Sequence, residues 1–353
     1  MKITGISLRV PERVVTNDEI AEETRRRSES SFSGDIDQTI RELGRLFARS
    51  GIETRRYLGD NEPWYPHVSS AISDAMEQAG LAPVDVGCVM YASVFRTMLE
   101  PSMASLIARD FGMQRAAAFD VNEACGSWGR AAFLAQSLLD SGAYKNILIV
   151  TAEANARFQG YGSLAANLKT HLDLNWAFPS YTIGCGFTAT VLTADDKKTD
   201  PQPWEITYNA DNDLANLCLF PLSWPTNSDF QIGDLDTSGQ GSGIFTCYGN
   251  EMQTKSTTQF VRFLYKSIED IQRADIFLPH TQTYKAYAHL MRFLNVKQDK
   301  LFSVYPDLGN VVTCSLPATI AKAVEADRLH RGDKVFMAMP ASGLSMSTYS
   351  FTY

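Results

Sequence analysis

Short β-rich apolar runs recur along the chain and alternate with stretches of helical spacing. The runs are GCVMYAS (87–93), the weaker RAAAFDV (115–121) and the stronger NILIVT (146–151). Helical patterns cover 67–79 and 315–329, and strands separated by helices predict parallel βαβ units in an α/β protein. Within FDVNEACGSWGRAAFLAQSLLDSG (119–142), Trp128, Ala132, Ala135 and Leu139 fall on one helical stripe. Ala131, Leu134 and Leu138 widen it, so this helix is predicted to be buried on most sides. Residues 22–33, with Arg25-Arg26-Arg27 and several serines, read as a solvated helix or loop.

The pattern repeats. SGAYKNILIV (141–150) follows the helix that begins near Cys125, and RGDKVFMAM (331–339) follows the helical stretch 315–329. Ile147 and Val335 are 188 positions apart, and the same offset carries Cys125 to Thr313, at a second small-residue helix start. Two similar halves are expected, parted near DDKKTDPQP (195–203): 1–198 with the cysteine, and 199–353.

Composition narrows the function. The 353 residues are 44% hydrophobic and 20% charged, enough for a large core. A net charge of -8 argues against nucleic acid, which needs a basic footprint. No apolar run is long enough for a membrane span, and MKITGISLRVPERVV lacks a signal-peptide apolar region. The six scattered cysteines contain no CxxC pair. They form neither a zinc pattern nor a disulfide framework, and suggest a reducing cytoplasm.

Three residues carry candidate chemistry. Cys125 opens a buried helix, where the positive end of the helix dipole would favour a thiolate and first-turn N–H groups would hold an oxyanion. His280 ends the apolar run IFLPH, as at a strand end opening into a loop. Asn310 sits in DLGNVVTCSLP, a Gly-Asn turn before a helix. Each also has a purely structural reading: a packed thiol, a core histidine, a turn or cap residue. Cys, His and Asn in that order invite a papain-like reading, but the reactive Cys of that motif would fall at Trp128.

Together these segments resemble the ketoacyl synthase III branch of the thiolase superfamily, over nearly the whole chain from LRVPERVVTNDEI onward. FDVNEACGSW resembles the family's FDVxxACxGF, FLPHTQTYKA its VPHQANxRI, and LGNVVTCSLP its GNTSAASVP; YGNEM (248–252) resembles a further block. The resemblance implies a thiolase-like fold, two similar βαβαβ halves forming a five-layered α-β-α-β-α core. It implies acylation of Cys125 by a CoA or carrier-protein thioester. His280 and Asn310 would then stabilise the enolate of a second thioester for Claisen condensation. It implies no tightly bound cofactor and no metal. The partners implied are acyl-CoA or acyl carrier protein and a second subunit, in a homodimer or a heterodimer. A same-fold acyltransferase to an alcohol or amine, and a non-catalytic heterodimer subunit, are the alternatives.

Departures from the pattern point to a specialised paralogue. The loop after the histidine is Thr281-Gln282-Thr283 where Gln-Ala-Asn is usual, and the Gly-rich C-terminal loop is Ala341-Ser342-Gly343. The resemblance places the second oxyanion donor near Ser342 or Gly343. The acidic residue of the FGDG turn is Cys185 here. The CoA-stacking Trp falls on Arg45, a nearby Arg on Arg49, and the carrier-docking Arg on Lys285. Glu100, in FRTMLEPSMA, lies at the position that reaches across the dimer into the partner's acyl pocket. In the non-decarboxylating, head-to-head condensing branch a Glu there removes an α-proton; otherwise it is an interface ion pair or a solvent-facing acid.

Overall fold

The computed structural model describes residues 1–154, 167–195, 203–220 and 245–353. Their strands are β1 (Lys2–Arg9), β2 (Arg13–Thr16), β3 (Thr54–Tyr57), β4 (Cys88–Ala92), β5 (Ala117–Val121), β6 (Asn146–Glu153), β7 (Gly186–Thr193), β8 (Glu205–Ala210), β9 (Cys218–Leu219), β10 (Thr246–Cys247), β11 (Ile276–Pro279), β12 (Lys334–Ala341) and β13 (Ser345–Thr352). The helices longer than one turn are α1 (Asn17–Ser28), α2 (Ile36–Ser50), α3 (Tyr65–Ala79), α4 (Met103–Asp110), α5 (Ser127–Asp140), α6 (Gly249–Tyr265), α7 (Ile268–Arg273), α8 (Tyr284–Phe293) and α9 (Ser315–Glu325). The segment 22–33 is mostly α1, capped by Thr16 and Glu19.

Two sheets carry the architecture. The first has the order β1-β7-β6-β4-β5 and the second β8-β13-β12-β11. The repeat seen in the sequence is real in space: β4 and β11, β6 and β12, and α5 and α9 each begin 188 positions apart. Where the first sheet has β5, the second has a single parallel bridge from Phe277 to Leu301.

The sheets are mixed rather than wholly parallel. β4 is parallel to β5 and β6, and β11 to β12. β7 and β13 run antiparallel to their neighbours. For β13 the reason is chain length: only Ser342, Gly343 and Leu344 separate it from β12. A parallel return needs a crossover of about a dozen residues, whereas an antiparallel one needs only a turn.

α5 and α9 lie side by side between the sheets; α3 and α4 cover the outer face of the first sheet, and α6 and α7 pack on the second. The layers are therefore α-β-α-β-α. The central cluster joins Ile147 and Ile149 of one half to Val335 and Met337 of the other, with Trp128, Ala132 and Ala135 of α5 and Leu316 and Ile320 of α9 between them. The predicted stripe of α5 is the buried one. Both halves thus share one core, and the expected division at 198/199 falls outside the described residues.

Candidate active site

The chain turns sharply between β5 and α5. Ala124 adopts φ 47, a left-handed conformation that costs a non-glycine residue about 1–3 kcal/mol. Ser127 Oγ pins the turn from both sides, accepting from Glu123 N–H (2.8 Å) and donating to the Ala124 carbonyl (2.7 Å). Glu123 is held in turn by a bidentate pair with Arg130 (2.8 and 2.7 Å), whose guanidinium lies 3.8 Å from the Tyr208 ring centroid. The result fixes Cys125 just ahead of the helix, its sulfur near its own backbone N–H.

The expected low thiol pKa is not found. Burial, first, and the nearby Cys218 and Glu153 charges push the Cys125 thiol well above its ordinary value. Magnitudes explain the outcome. A helix dipole contributes typically 0.3–1 kcal/mol, below one pKa unit, whereas full burial shifts a group by as much as 3–5 units. α5 also begins at Ser127, so Cys125 stands outside its first turn.

His280 follows β11, its N–H donating to the Ala338 carbonyl (2.8 Å) in continuation of the β11–β12 ladder. The ring is completely buried, and neither Nδ1 nor Nε2 has a hydrogen-bond partner. Burial lowers its pKa to about 4, so at neutral pH it is an uncharged imidazole. Two unpaired buried nitrogens are costly unless a ligand uses them.

Asn310 is held by the backbone on each side: its N–H donates to Thr182 O (2.8 Å), and Gly184 N–H donates to its carbonyl (3.0 Å). The preceding Gly309 has φ 68, and a Cβ there would lie 2.3 Å from Thr182 O. Only glycine fits. Val312 N–H donates to Asn310 Oδ1 (2.9 Å), which fixes the amide and identifies its NH2 as the donor end.

Cys125, His280 and Asn310 all line one cavity of about 820 Å³. Ser342 and Gly343 line it too, in the β12–β13 turn, where Ser342 Oγ donates to the Cys218 carbonyl (2.8 Å) and Gly343 has φ 125. Its lining includes the apolar residues Phe220, Phe245, Met252, Phe260 and Leu290.

A second depression, of about 590 Å³, is lined by Arg45, Arg49, Lys285 and His289. Packing of α2 on α8 brings these residues together. Glu42 pairs with Arg45 (3.0 Å) and Arg49 (3.5 Å), so one carboxylate is shared by two guanidiniums. Arg49, Thr283 and Ala286 line both spaces, so the depression adjoins the cavity.

Glu100 is not brought to this site. It is exposed in the loop between β4 and α4 and does not line its own chain's cavity. Its neighbours Met98 and Leu99 are 43% and 74% exposed. Cys185 is buried, its N–H donating to Arg56 O (2.8 Å).

Two residues near the site were not anticipated. Glu153 ends β6 fully buried, accepting from Val94 N–H (3.0 Å), Phe95 N–H (3.3 Å) and Thr313 Oγ1 (2.5 Å). A carboxylate closing an otherwise apolar central strand was the available signal. Cys218 lines the cavity wall, and nothing local in the sequence singles it out.

Known proteins resemble this chain in sequence and in fold. Residues 119–201 match the family profile of 3-oxoacyl-[acyl-carrier-protein (ACP)] synthase III, and residues 267–353 that of its C-terminal part. In both of these segments the chain is similar to the ketoacyl synthase III family. It is 25% identical over 347 residues to the beta-ketoacyl-[acyl-carrier-protein] synthase III of Clostridium perfringens, covering 98% of this chain and 96% of that one. The Symbiobacterium thermophilum synthase III is 25% identical over 354 residues, with 97% and 94% covered. Among solved structures, synthase III of Aquifex aeolicus superposes with a TM-score of 0.77 at 20% identity, over 100% of this chain and 99% of that one. Xanthomonas campestris OleA, solved with lauric acid and lauroyl-CoA bound, gives 0.79 at 19% identity over 99% and 98%. The ketoacyl synthase III-like fold thus extends over both halves, and the family supports a condensing acyl-transfer function. Among the described residues no helix is long and apolar enough to cross a membrane, and no group of His, Cys, Asp or Glu is placed to hold a metal ion.

Proposed function

We propose that the chain is a Claisen-condensing acyltransferase. Cys125 Sγ takes an acyl group from a CoA or carrier-protein thioester and passes it to the α-carbon of a second thioester, giving a β-keto product. The supporting observation is a cavity lined by a thiol, a neutral imidazole with two unpartnered nitrogens, and an oriented amide.

The steps follow from those groups. The thiol is protonated at rest, so acylation needs a proton acceptor; a neutral imidazole takes the proton on a free ring nitrogen and returns it to the CoA or carrier thiolate that leaves, ending neutral again. The Cys125 N–H, with a backbone N–H of Ser342 or Gly343, steadies the oxyanion on the thioester carbon. Once the acyl-enzyme has formed, the His280 N–H and Asn310 NH2 donate to the carbonyl oxygen of the second thioester. They stabilise its enolate without a cation that would trap it, and the enolate carbon then attacks the acyl-Cys125 carbonyl and releases the thiol.

The three cations Arg45, Arg49 and Lys285 suit the phosphates of CoA or the acidic surface of a carrier protein. The apolar lining of the cavity suits an aliphatic acyl chain, in specialised or fatty-acid-derived metabolism. Glu100 serves as the α-proton base from a second copy, making the condensation non-decarboxylating; its exposure beside Met98 and Leu99 supports a place in a dimer interface.

Intact-mass spectrometry after incubation with a panel of acyl-CoAs tests the reading. The expected result is one acyl adduct on Cys125, absent in Cys125→Ala, followed by a β-keto product. Normal turnover by Cys125→Ala overturns it. An acylated alcohol or amine in place of a new C–C bond would mark the non-condensing acyltransferase.

A further inference from the structure

A second pair of thiols stands against the candidate nucleophile. Cys218 and Cys247 are register partners in the antiparallel β9–β10 ladder. Such partners have Cα atoms about 4.5–5.5 Å apart and side chains on one face. A disulfide requires about 4.4–6.8 Å. The ladder therefore sets the two thiols against each other, and the Cys247 S–H favours the Cys218 thiolate. Cys218 lines the cavity, where a small solute reaches it, whereas Cys247 is fully buried behind it.

The surroundings distinguish the sulfurs. The Cys247 S–H favours a Cys218 thiolate and lowers its pKa against the opposing effect of burial. Cys125 is shifted the other way by burial. Thiolates, not thiols, react with peroxides, so Cys218 is the first cavity sulfur to be oxidised. Ser342 ties the same strand to the β12–β13 turn, next to the proposed oxyanion donors.

We propose that Cys218 and Cys247 form an oxidisable dithiol that a hydroperoxide converts to a cross-strand disulfide, reversibly slowing acylation of Cys125. The Cys218 thiolate attacks a peroxide oxygen. An S–O bond forms, the O–O bond breaks, and the departing hydroxide becomes water by taking from solvent the proton that Cys218 released on forming the thiolate. The Cys247 sulfur then displaces hydroxide from the sulfenic acid. An S–S bond forms, the S–O bond breaks, and the Cys247 proton leaves in a second water. The two sulfurs lose two electrons in total, and the peroxide gains them. The new bond pulls on the Cys218 strand, which Ser342 ties to the β12–β13 turn, and moves the wall beside Cys125.

The effect on acylation rests on the reading of Cys125 as the acyl acceptor; the disulfide itself does not. The test treats the full-length protein with equimolar hydrogen peroxide and alkylates the remaining thiols under denaturing conditions. No Lys or Arg lies between Cys218 and Cys247, so peptides are cut before Asp229, Asp234 and Asp236. Unreduced peptide mapping is expected to show Cys218 linked to Cys247, with Cys125 alkylated. Acylation of Cys125 by an accepted acyl-CoA is expected to fall at least about fivefold and to recover with dithiothreitol. Cys247→Ser and Cys247→Ala, at a position away from the cavity lining, should keep the untreated rate and lose both the link and the recovery. A link between Cys125 and Cys218, oxidation of Cys125 first, or a Cys218–Cys247 link that leaves acylation unchanged overturns the proposal. If no acyl-CoA labels Cys125 even before treatment, the functional reading fails while the mapping still decides the disulfide.

Discussion

His280 and Cys125 show how burial sets chemistry one side chain at a time. Folding lowers the His280 pKa from 6.5 to about 4, so the unfolded chain binds the extra proton between those values. Stability from this group is therefore complete above pH 6.5 and is lost as pH falls towards 4. Between pH 7 and 4.5 the loss is about 2.5 kcal/mol. Urea unfolding at both pH values should show His280→Asn losing that much less than the native chain; equal losses would mean His280 is not a buried neutral group. Cys125 yields a second prediction. With its thiol held high, alkylation by iodoacetamide, followed at that residue by mass spectrometry, should climb roughly tenfold per unit from pH 7 to 9. A plateau below pH 8 would contradict the burial argument.

At the scale of elements, α5 is positioned by a close approach that only glycine permits. A Cβ on Gly129 would lie 1.8 Å from the Tyr349 hydroxyl of β13. Tyr349 is fully buried and bonded to Ser347 (2.8 Å) and Tyr208 (3.1 Å), so it has nowhere to go. Gly129→Ala must then push α5 off the second sheet, at a cost of about 3 kcal/mol. Chemical denaturation should register that loss, and Cys125 acylation should slow with it, because the elbow moves with the helix. A silent variant would show that α5 has slack the packing denies. This contact also shows what the amino-acid string could carry. The strands β4, β5 and β6 lay within a residue or two of their apolar runs, and the 188-residue offset located the matching elements of the second half. The positions of His280 and Asn310 were legible because one ends a strand and the other lies in a turn, each with its own local signature. The raised Cys125 thiol was not, because burial is a property of the packed layers and outweighs the local helix dipole. Nor was Cys218, whose partner Cys247 is brought opposite it only by the ladder.

At the scale of the whole molecule, the single chain holds a thiol, an imidazole and an amide in one cavity but leaves its candidate base outside. Glu100 sits on a loop with exposed Met98 and Leu99, an arrangement that wastes apolar surface unless another copy covers it. If that copy's cavity receives the loop, each site draws Cys125, His280 and Asn310 from one chain and Glu100 from the other. The two single variants, Glu100→Ala and Cys125→Ala, should each fail to condense plain acyl-CoA, the first while still acylating Cys125. Co-expressed with different tags and purified as a mixed dimer, they assemble one complete site: Cys125 from the Glu100→Ala chain and Glu100 from the Cys125→Ala chain. Condensation should return to about half the native rate per dimer. A base acting within its own chain predicts the opposite, since neither chain of the mixed dimer then holds a complete set and activity stays at background. An exposed acid with no catalytic part predicts that Glu100→Ala alone condenses normally.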